Sequence, residues 1–95
     1  MAELEGDVNR ALMLDGNSVA GLLGGVFGAE VTGCRCQCAH CGRADAVGTL
    51  LAFTRAPGVV LRCSGCEQVM MRLVEGADAL YLEMRGVAFL RLERR

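Results

Sequence analysis

The stretch CRCQCAHCGR, residues 34–43, holds four of the chain's six cysteines, and CSGC, residues 63–66, holds the other two. Each stretch contains a Cys-x-x-Cys pair, and 21 residues separate the two pairs. Two intervening residues let both thiolates of a pair point inward from one tight turn, so each pair supplies two corners of a tetrahedron. Two such pairs predict one closed tetrahedral metal site. Its ligands would be Cys38, Cys41, Cys63 and Cys66. Gly42 and Gly65 can take the unusual backbone angles that such turns require, and their amides can point at the sulfurs.

The metal that such a site favours is zinc. Closed sets of four thiolates, with Zn–S bonds of about 2.3 Å, are typical of structural zinc, although a sulfur tetrahedron also suits iron. A structural zinc would contribute on the order of 10 kcal/mol of coupled folding free energy. Four thiolates and Zn²⁺ carry a net charge of −2, which Arg35, Arg43 and Arg62 are placed in the sequence to offset. Zinc is therefore the predicted cofactor, with iron as the alternative.

Three further candidate ligands lie close to the first pair: Cys34, Cys36 and His40. A Cys-x-Cys pair on an extended segment places both sulfurs on one face and makes a poor tight turn. A second closed site would need four ligands, and only three candidates remain. We interpret Cys34 and Cys36 as spectator thiols, and expect His40 to face solvent from within the turn. A second metal or a redox-active thiol pair stays open.

Composition places the chain among small folded proteins. Ninety-five residues correspond to one domain, and 53% hydrophobic with 22% charged residues indicates a globule. Because there are only three Phe, one Tyr and no Trp, the core is expected to be aliphatic. The acidic start, MAELEGDVNR, does not resemble an export signal, and the apolar run at 19–29 is too short to cross a bilayer. We expect a cytoplasmic protein, whose thiols stay reduced and bind metal.

Charge is unevenly distributed along the chain. Residues 1–33 hold one arginine against five acidic residues, whereas residues 34–95 hold nine arginines against six, and there is no lysine. This mild asymmetry falls far short of the dense basic patch typical of nucleic-acid binding. Few aromatic residues are available for base stacking. We therefore expect the partner to be another protein. Nucleic acid has only weak support as a partner, and we expect no binding to a membrane.

An N-terminal helix is predicted over residues 18–28, where five apolar residues recur at i, i+3, i+4, i+7 and i+8. Asn17 or Ser18 would cap its start, and Gly28 would end it. Glycines at 21, 24 and 25 each cost the helix about 1 kcal/mol relative to alanine. We expect this helix to pack on its own domain; homodimerisation through it or through an edge strand stays open. The apolar positions are Val19, Leu22, Leu23, Val26 and Phe27.

Downstream of the first cysteine pair the pattern changes to strands. We predict hairpins from 46–55 and 59–63, joined by a turn at 56–58, and from 67–74 and 79–85, joined by a turn at 75–78. In 79–85 the side chains alternate, with Leu80, Leu82 and Met84 on one face and Tyr81, Glu83 and Arg85 on the other. A final strand is expected after Gly86, and the hairpins and short spacings indicate one antiparallel sheet with one buried face. The predicted fold class is α+β: an N-terminal helix followed by a small antiparallel β zinc ribbon, rubredoxin-like. The single domain, 1–95, would comprise an acidic arm (1–14), a helix and linker (15–33) and the zinc-ribbon β domain (34–95).

Several separated blocks of this chain resemble a known family. They are DGNSVAGLLGGVFGAEVT, CAHCG, RAPGVVLRCSGCEQVMMRLV and LEMRGVAFLRLE, which together cover about residues 14–92. In these blocks the chain is similar to a bacterial family of small zinc-ribbon-like proteins, known as a domain of unknown function. The resemblance implies a short helix followed by a zinc ribbon, with Cys38, Cys41, Cys63 and Cys66 as ligands. It implies a fold and no activity.

Three functions compete at this point. The first is a structural zinc-binding interaction module that docks a protein partner and is not an enzyme, since four cysteines leave a zinc ion no open position. The second is rubredoxin-like electron transfer through iron, which the lack of an acidic surface and of an aromatic-rich core disfavours. The third is a redox or metal sensor in which Cys34 and Cys36 react. We favour the first.

Overall fold

The computed structural model describes residues 14–28, 30–54 and 58–92, and the side chain of Leu14 is not among the described atoms. Eight strands, one α-helix and two 3-10 helices follow one another along these ranges. In chain order they are β1 (Leu14–Asp15), a first 3-10 helix (Gly16–Val19), α1 (Ala20–Phe27), β2 (Arg35–Cys38), β3 (Ala44–Ala46), a second 3-10 helix (Val47–Thr49), β4 (Leu51–Phe53), β5 (Val59–Arg62), β6 (Val69–Glu75), β7 (Leu80–Glu83) and β8 (Val87–Leu90). The predicted acidic arm lies outside the described residues, apart from its last residue.

The strands form two antiparallel sheets rather than the single sheet that the sequence analysis predicted. Five strands pair in the order β1-β4-β5-β6-β7, and three pair in the order β3-β2-β8. The broader expectation of a short helix followed by antiparallel strands is confirmed. We refer below to the five-stranded and the three-stranded sheet.

The predicted strand 46–55 is wrong because the chain changes sheets within it. Residues 44–46 pair with β2, and residues 51–53 pair with β5, with the second 3-10 helix between them. Close packing at this crossing leaves little room for side chains at two glycines. A Cβ on Gly48 would lie 2.4 Å from Asn17 Oδ1, and a Cβ on Gly16 would lie 2.2 Å from the carbonyl oxygen of Val47. The two 3-10 helices pack against each other through these glycines.

The helix begins later than predicted and is not capped as predicted. The first 3-10 helix occupies residues 16–19, and α1 starts at Ala20. Neither helix has a side-chain hydrogen bond that caps its N-terminus. Ser18 Oγ instead donates to the carbonyl oxygen of Asp15, 2.7 Å away. The predicted end is confirmed: Gly28 has φ +70° and donates its N–H to the carbonyl of Gly24. This left-handed conformation favours glycine.

The core is built from aliphatic and sulfur-containing side chains, as expected from the composition. Leu23 of α1 is fully buried and packs with residues of both sheets. The other fully buried large side chains are Leu61, Met70, Met71, Leu73, Val31, Val47, Cys36, Cys38 and Cys63. The helix therefore packs on the core of its own domain, as expected. In the described part of the chain, no helix has both the length and the apolar character needed to cross a bilayer.

The hairpin from β6 to β7 matches the predicted alternation of side chains. Leu82 lies opposite Leu73, on the face that packs on the core, and Tyr81 lies opposite Val74, on the other face. The turn between the strands is closed by the N–H of Gly76, which donates to the carbonyl of Ala79. The final strand, β8, leaves this sheet and pairs with β2. Part of the predicted turn at 56–58 lies outside the described residues.

Candidate metal centre

The four predicted ligand sulfurs converge on one point. All four Sγ atoms lie within 4.8 Å of one another. Cys38 Sγ is 3.7 Å from Cys66 Sγ, and Cys41 Sγ is 3.7 Å from Cys63 Sγ. A tetrahedron with metal–sulfur bonds of about 2.3 Å has sulfur–sulfur edges of about 3.8 Å. The spacing of the sulfurs thus fits one tetrahedral ion, as the sequence analysis required.

Two turns of matching backbone geometry hold these sulfurs, and we call them the first knuckle (residues 38–43) and the second knuckle (residues 63–68). In the first, Cys38 donates its N–H to the carbonyl of Arg43, and its own carbonyl accepts from Gly42. The second repeats this pattern 25 residues later: Cys63 N–H donates to the carbonyl of Gln68, and its carbonyl accepts from residue 67. Each knuckle is therefore a closed backbone loop that fixes its two sulfurs.

Both knuckles need a left-handed residue at the same place. Gly42 has φ +80° in the first knuckle, and Glu67, its counterpart in the second, has φ +62°. A positive φ was expected at Gly42 and Gly65, but Gly65 does not have one. Glu67 was missed because an acidic residue carries no signal for this conformation. The only available clue was the repeat itself, which places residue 67 where Gly42 lies in the first knuckle.

Backbone amides point at the first sulfur of each knuckle. The N–H of His40 donates to Cys38 Sγ over 3.4 Å, and the N–H of Gly65 donates to Cys63 Sγ over 3.3 Å. Such donors stabilise thiolate charge. The His40 side chain is exposed, as predicted, and is not part of the sulfur cluster. A side chain at Gly65 would meet the Arg43 stem, since a Cβ there would lie 3.1 Å from Arg43 Cδ.

The thiols have unequal proton affinities. Burial acts to raise the pKa of Cys63, but hydrogen bonds from the amides of Cys66 and Gly65, with the thiols of Cys41 and Cys66 adding to them, outweigh it and lower that pKa to about 7. The Gln68 amide acts to lower the pKa of Cys66, but burial and the neighbouring cysteines outweigh it and raise that pKa to about 12. Four sulfurs this close cannot all ionise without a compensating positive charge. A divalent cation at their centre would supply that charge, because metal ligation requires deprotonated thiols.

Cys34 and Cys36 point into the core instead of forming a second site. They are 8% and 1% exposed. Burial, with Asp45 and the neighbouring cysteines adding to it, raises the pKa of Cys36 to about 11. A buried thiol of this kind is a poor nucleophile, which fits the interpretation of a spectator. Among the described residues, the one group of three or more potential metal ligands is the four-cysteine cluster, so the second-metal alternative gains no support.

The nearby arginines contact backbone and carboxylate oxygens rather than the sulfurs. Arg62 Nη1 donates to the carbonyl of Glu67, 2.9 Å away, and so braces the second knuckle. Arg43 pairs with Asp45 at 3.2 Å, on the protein surface. Arg35 Nη2 donates to the carbonyl of Ala44. These contacts order the segments around the knuckles, and the charge compensation expected of the three arginines stays a prediction.

Comparison with known proteins identifies the chain at the level of a family. A search of curated proteins and a search of solved structures each found no match. One family model matches residues 8–95, nearly the whole chain. The protein belongs to DUF6510, a family of unknown function.

Proposed function

We propose that the four cysteines hold one structural zinc ion, and that the protein is a non-enzymatic interaction module that docks a protein partner. One observation supports this most directly: two knuckles of the same backbone geometry bring four sulfurs within 4.8 Å of one another. The donor set suits zinc or iron, and the structural sites of zinc are typically of this closed kind. A reducing compartment such as the cytoplasm would keep the thiols available.

The position of the site supports a structural role. Cys38 is the last residue of β2, in the three-stranded sheet, and Cys63 follows β5, in the five-stranded sheet. An ion bound by both knuckles would therefore join the two sheets. A set of four thiolates leaves no coordination position for water or substrate, so we infer that the ion is not catalytic.

The surface supports docking of a protein. Tyr81 is 69% exposed, Leu92 is 50% exposed and Phe89 is 45% exposed. Aromatic residues and arginines are enriched among the residues that dominate binding energy at protein interfaces. Of these three, Tyr81 lines a surface concavity together with Arg72 and Arg85, and an exposed aromatic ring beside arginines is the chemistry expected of a docking surface.

Metal content of the purified protein tests the proposal. We expect elemental analysis to find one zinc per chain, a colourless absorption spectrum, and four sulfur neighbours at about 2.3 Å by X-ray absorption. Chelation of the ion is expected to unfold the protein, seen by circular dichroism, because binding and folding of such sites are coupled. A red protein containing iron would favour electron transfer instead.

Matched cysteine variants separate ligands from spectators. Cys41→Ser removes a predicted ligand from an exposed position, so loss of its metal does not reflect a damaged core. Cys34→Ser changes a cysteine of the same stretch outside the cluster, and should retain one zinc per chain. Equal zinc content in the two variants would contradict the assignment of the ligands.

A further inference from the structure

The β7 strand presents an unpaired edge. It ends the order of the five-stranded sheet and, among the described residues, pairs only with β6. In an antiparallel pair, alternate residues direct their N–H and C=O groups away from the neighbour, so these groups of β7 are free to pair with a further strand. The strand is also apolar for an edge: Leu80 and Leu82 are 38% and 37% exposed, although they lie on the face that packs on the core.

On that inner face a groove of about 460 Å³ separates α1 from the β6–β7 hairpin. Leu22 and Val26 line its helix side, and Leu80 lines its strand side. Glu75 is the one charged residue among those that line it. The groove therefore suits apolar side chains.

Two glycines keep this groove open. Gly21 and Gly25 lie on its helix side, and a Cβ on either would meet no atom within 4 Å. Packing among the described residues does not require them, yet each costs the helix about 1 kcal/mol relative to alanine. Their absence of side chains adds depth to the groove.

On the outer face of the same strand lies a second concavity, of about 270 Å³. Arg72 and Arg85 line it together with Tyr81 and Glu83. The two arginines give this concavity a net positive charge against the single carboxylate of Glu83, whose nearest arginine contact, to Arg85 Nε, is 3.9 Å long. Carboxylates are the groups that arginine recognises best in protein partners.

We propose that the edge of β7 binds an extended segment of another protein in which acidic and apolar side chains alternate. This rests on the proposed function as a protein-docking module and names its surface and partner chemistry. Successive side chains of a strand point to opposite faces. A strand added to β7 would therefore place an apolar side chain of one set in the groove beside Leu80, and acidic side chains of the other set beside Arg72 and Arg85, while its backbone pairs with the free edge.

A peptide of this chemistry tests the proposal on the full-length, zinc-loaded protein. The probe is fluorescein-labelled EVEVEVE, and binding is followed by fluorescence anisotropy. We expect saturable binding that is weakened at least about tenfold in two control peptides: the charge-reversed KVKVKVK, and EVEVEVE with all of its backbone amides N-methylated. The second control removes the backbone donors on both edges of the peptide and keeps its side chains, so it tests strand pairing without changing the protein.

Protein variants test the two faces separately. Arg72→Glu should weaken binding at least about tenfold, whereas Arg91→Glu, the same charge change beyond β8, should not. Gly25→Leu fills the groove and should abolish binding while raising thermal stability, because leucine is the better helix former. Gly33→Leu is its control, since a Cβ there also meets no atom within 4 Å. Thermal unfolding of each variant tests whether it is folded.

Several results would overturn the inference. Absence of peptide binding by a folded protein with one zinc per chain would refute it and leave the metal site standing. Displacement of the probe by single-stranded DNA at equal concentration would make nucleic acid, rather than a protein segment, the ligand of this surface. Dimerisation that competes with the probe would make a second copy the occupant. The chain's own residues 2–8, AELEGDV, also alternate; a tenfold gain in probe affinity after their deletion would make them the occupant and refute an external partner.

Discussion

Replacing Gly42 with alanine tests whether the knuckle geometry holds the metal site. Gly42 has φ +80°, and a Cβ there would meet no atom within 4 Å. The cost of the substitution therefore comes from the backbone alone. The left-handed conformation costs a residue with a Cβ about 1–2 kcal/mol, and the reduced entropy of the unfolded chain returns about 0.4–1 kcal/mol. We expect a net destabilisation of about 1 kcal/mol, or a fall in Tm of about 4–8 °C.

Gly33→Ala is the matched control for this measurement. A Cβ on Gly33 also meets no atom within 4 Å, but Gly33 does not have a positive φ. The free energy of unfolding of this variant should be unchanged or slightly higher, because only the reduced entropy of the unfolded chain remains. Thermal unfolding of both zinc-loaded proteins by circular dichroism gives the comparison, and a competition titration with a chromophoric chelator should show about fivefold weaker zinc binding for Gly42→Ala. Equal stability of the two variants would refute the argument.

Other substitutions give further expected outcomes. Gly86→Ala places a Cβ 2.0 Å from the carbonyl oxygen of Val69. We therefore expect the free energy of unfolding, measured with urea, to fall by about 3 kcal/mol or more. A variant as stable as the wild type would contradict this close approach. Gly21→Ala should raise the free energy of unfolding by up to about 1 kcal/mol, and destabilisation would show that the groove is already filled in the free protein. Hydrogen bonds from the Thr32 hydroxyl and amide lower the pKa of Glu30, so Thr32→Val should raise it in an NMR titration. The contribution of this contact to stability is present above the unfolded-state pKa and lost as pH falls through the folded-state pKa; an unchanged titration would refute the contact.

The site was more predictable from the sequence than the arrangement around it. Cys-x-x-Cys spacing constrains a local turn, so the convergence of the four sulfurs could be inferred without knowledge of the sheets. The amide donors could be inferred only in part, because Gly65 donates to sulfur as expected whereas His40, not Gly42, does so in the first knuckle. The left-handed Glu67 could not be inferred from residue type, since the backbone hydrogen bonds that close the second knuckle hold its conformation.

The two-sheet arrangement escaped prediction because it depends on contacts distant in sequence. Residues 46–55 have the composition of one continuous strand, and nothing local marks the crossing except Gly48. That glycine matters only because Asn17, 31 positions earlier, packs where its side chain would lie. The exposure of Leu80 and Leu82 could not be predicted from the alternating pattern either. Alternation indicates the face of the sheet on which a side chain lies, but not whether another element covers that face.

The placement of the knuckles has a consequence for how the protein denatures. Since one knuckle extends from each sheet, the ion would be the point through which melting of one sheet is transmitted to the other. With zinc bound, calorimetry should show one two-state transition whose calorimetric and van't Hoff enthalpies agree. Hydrogen exchange of the zinc-loaded protein should likewise show the amides of both sheets opening together, and two groups of amides that open independently, one for each sheet, would contradict this role of the ion.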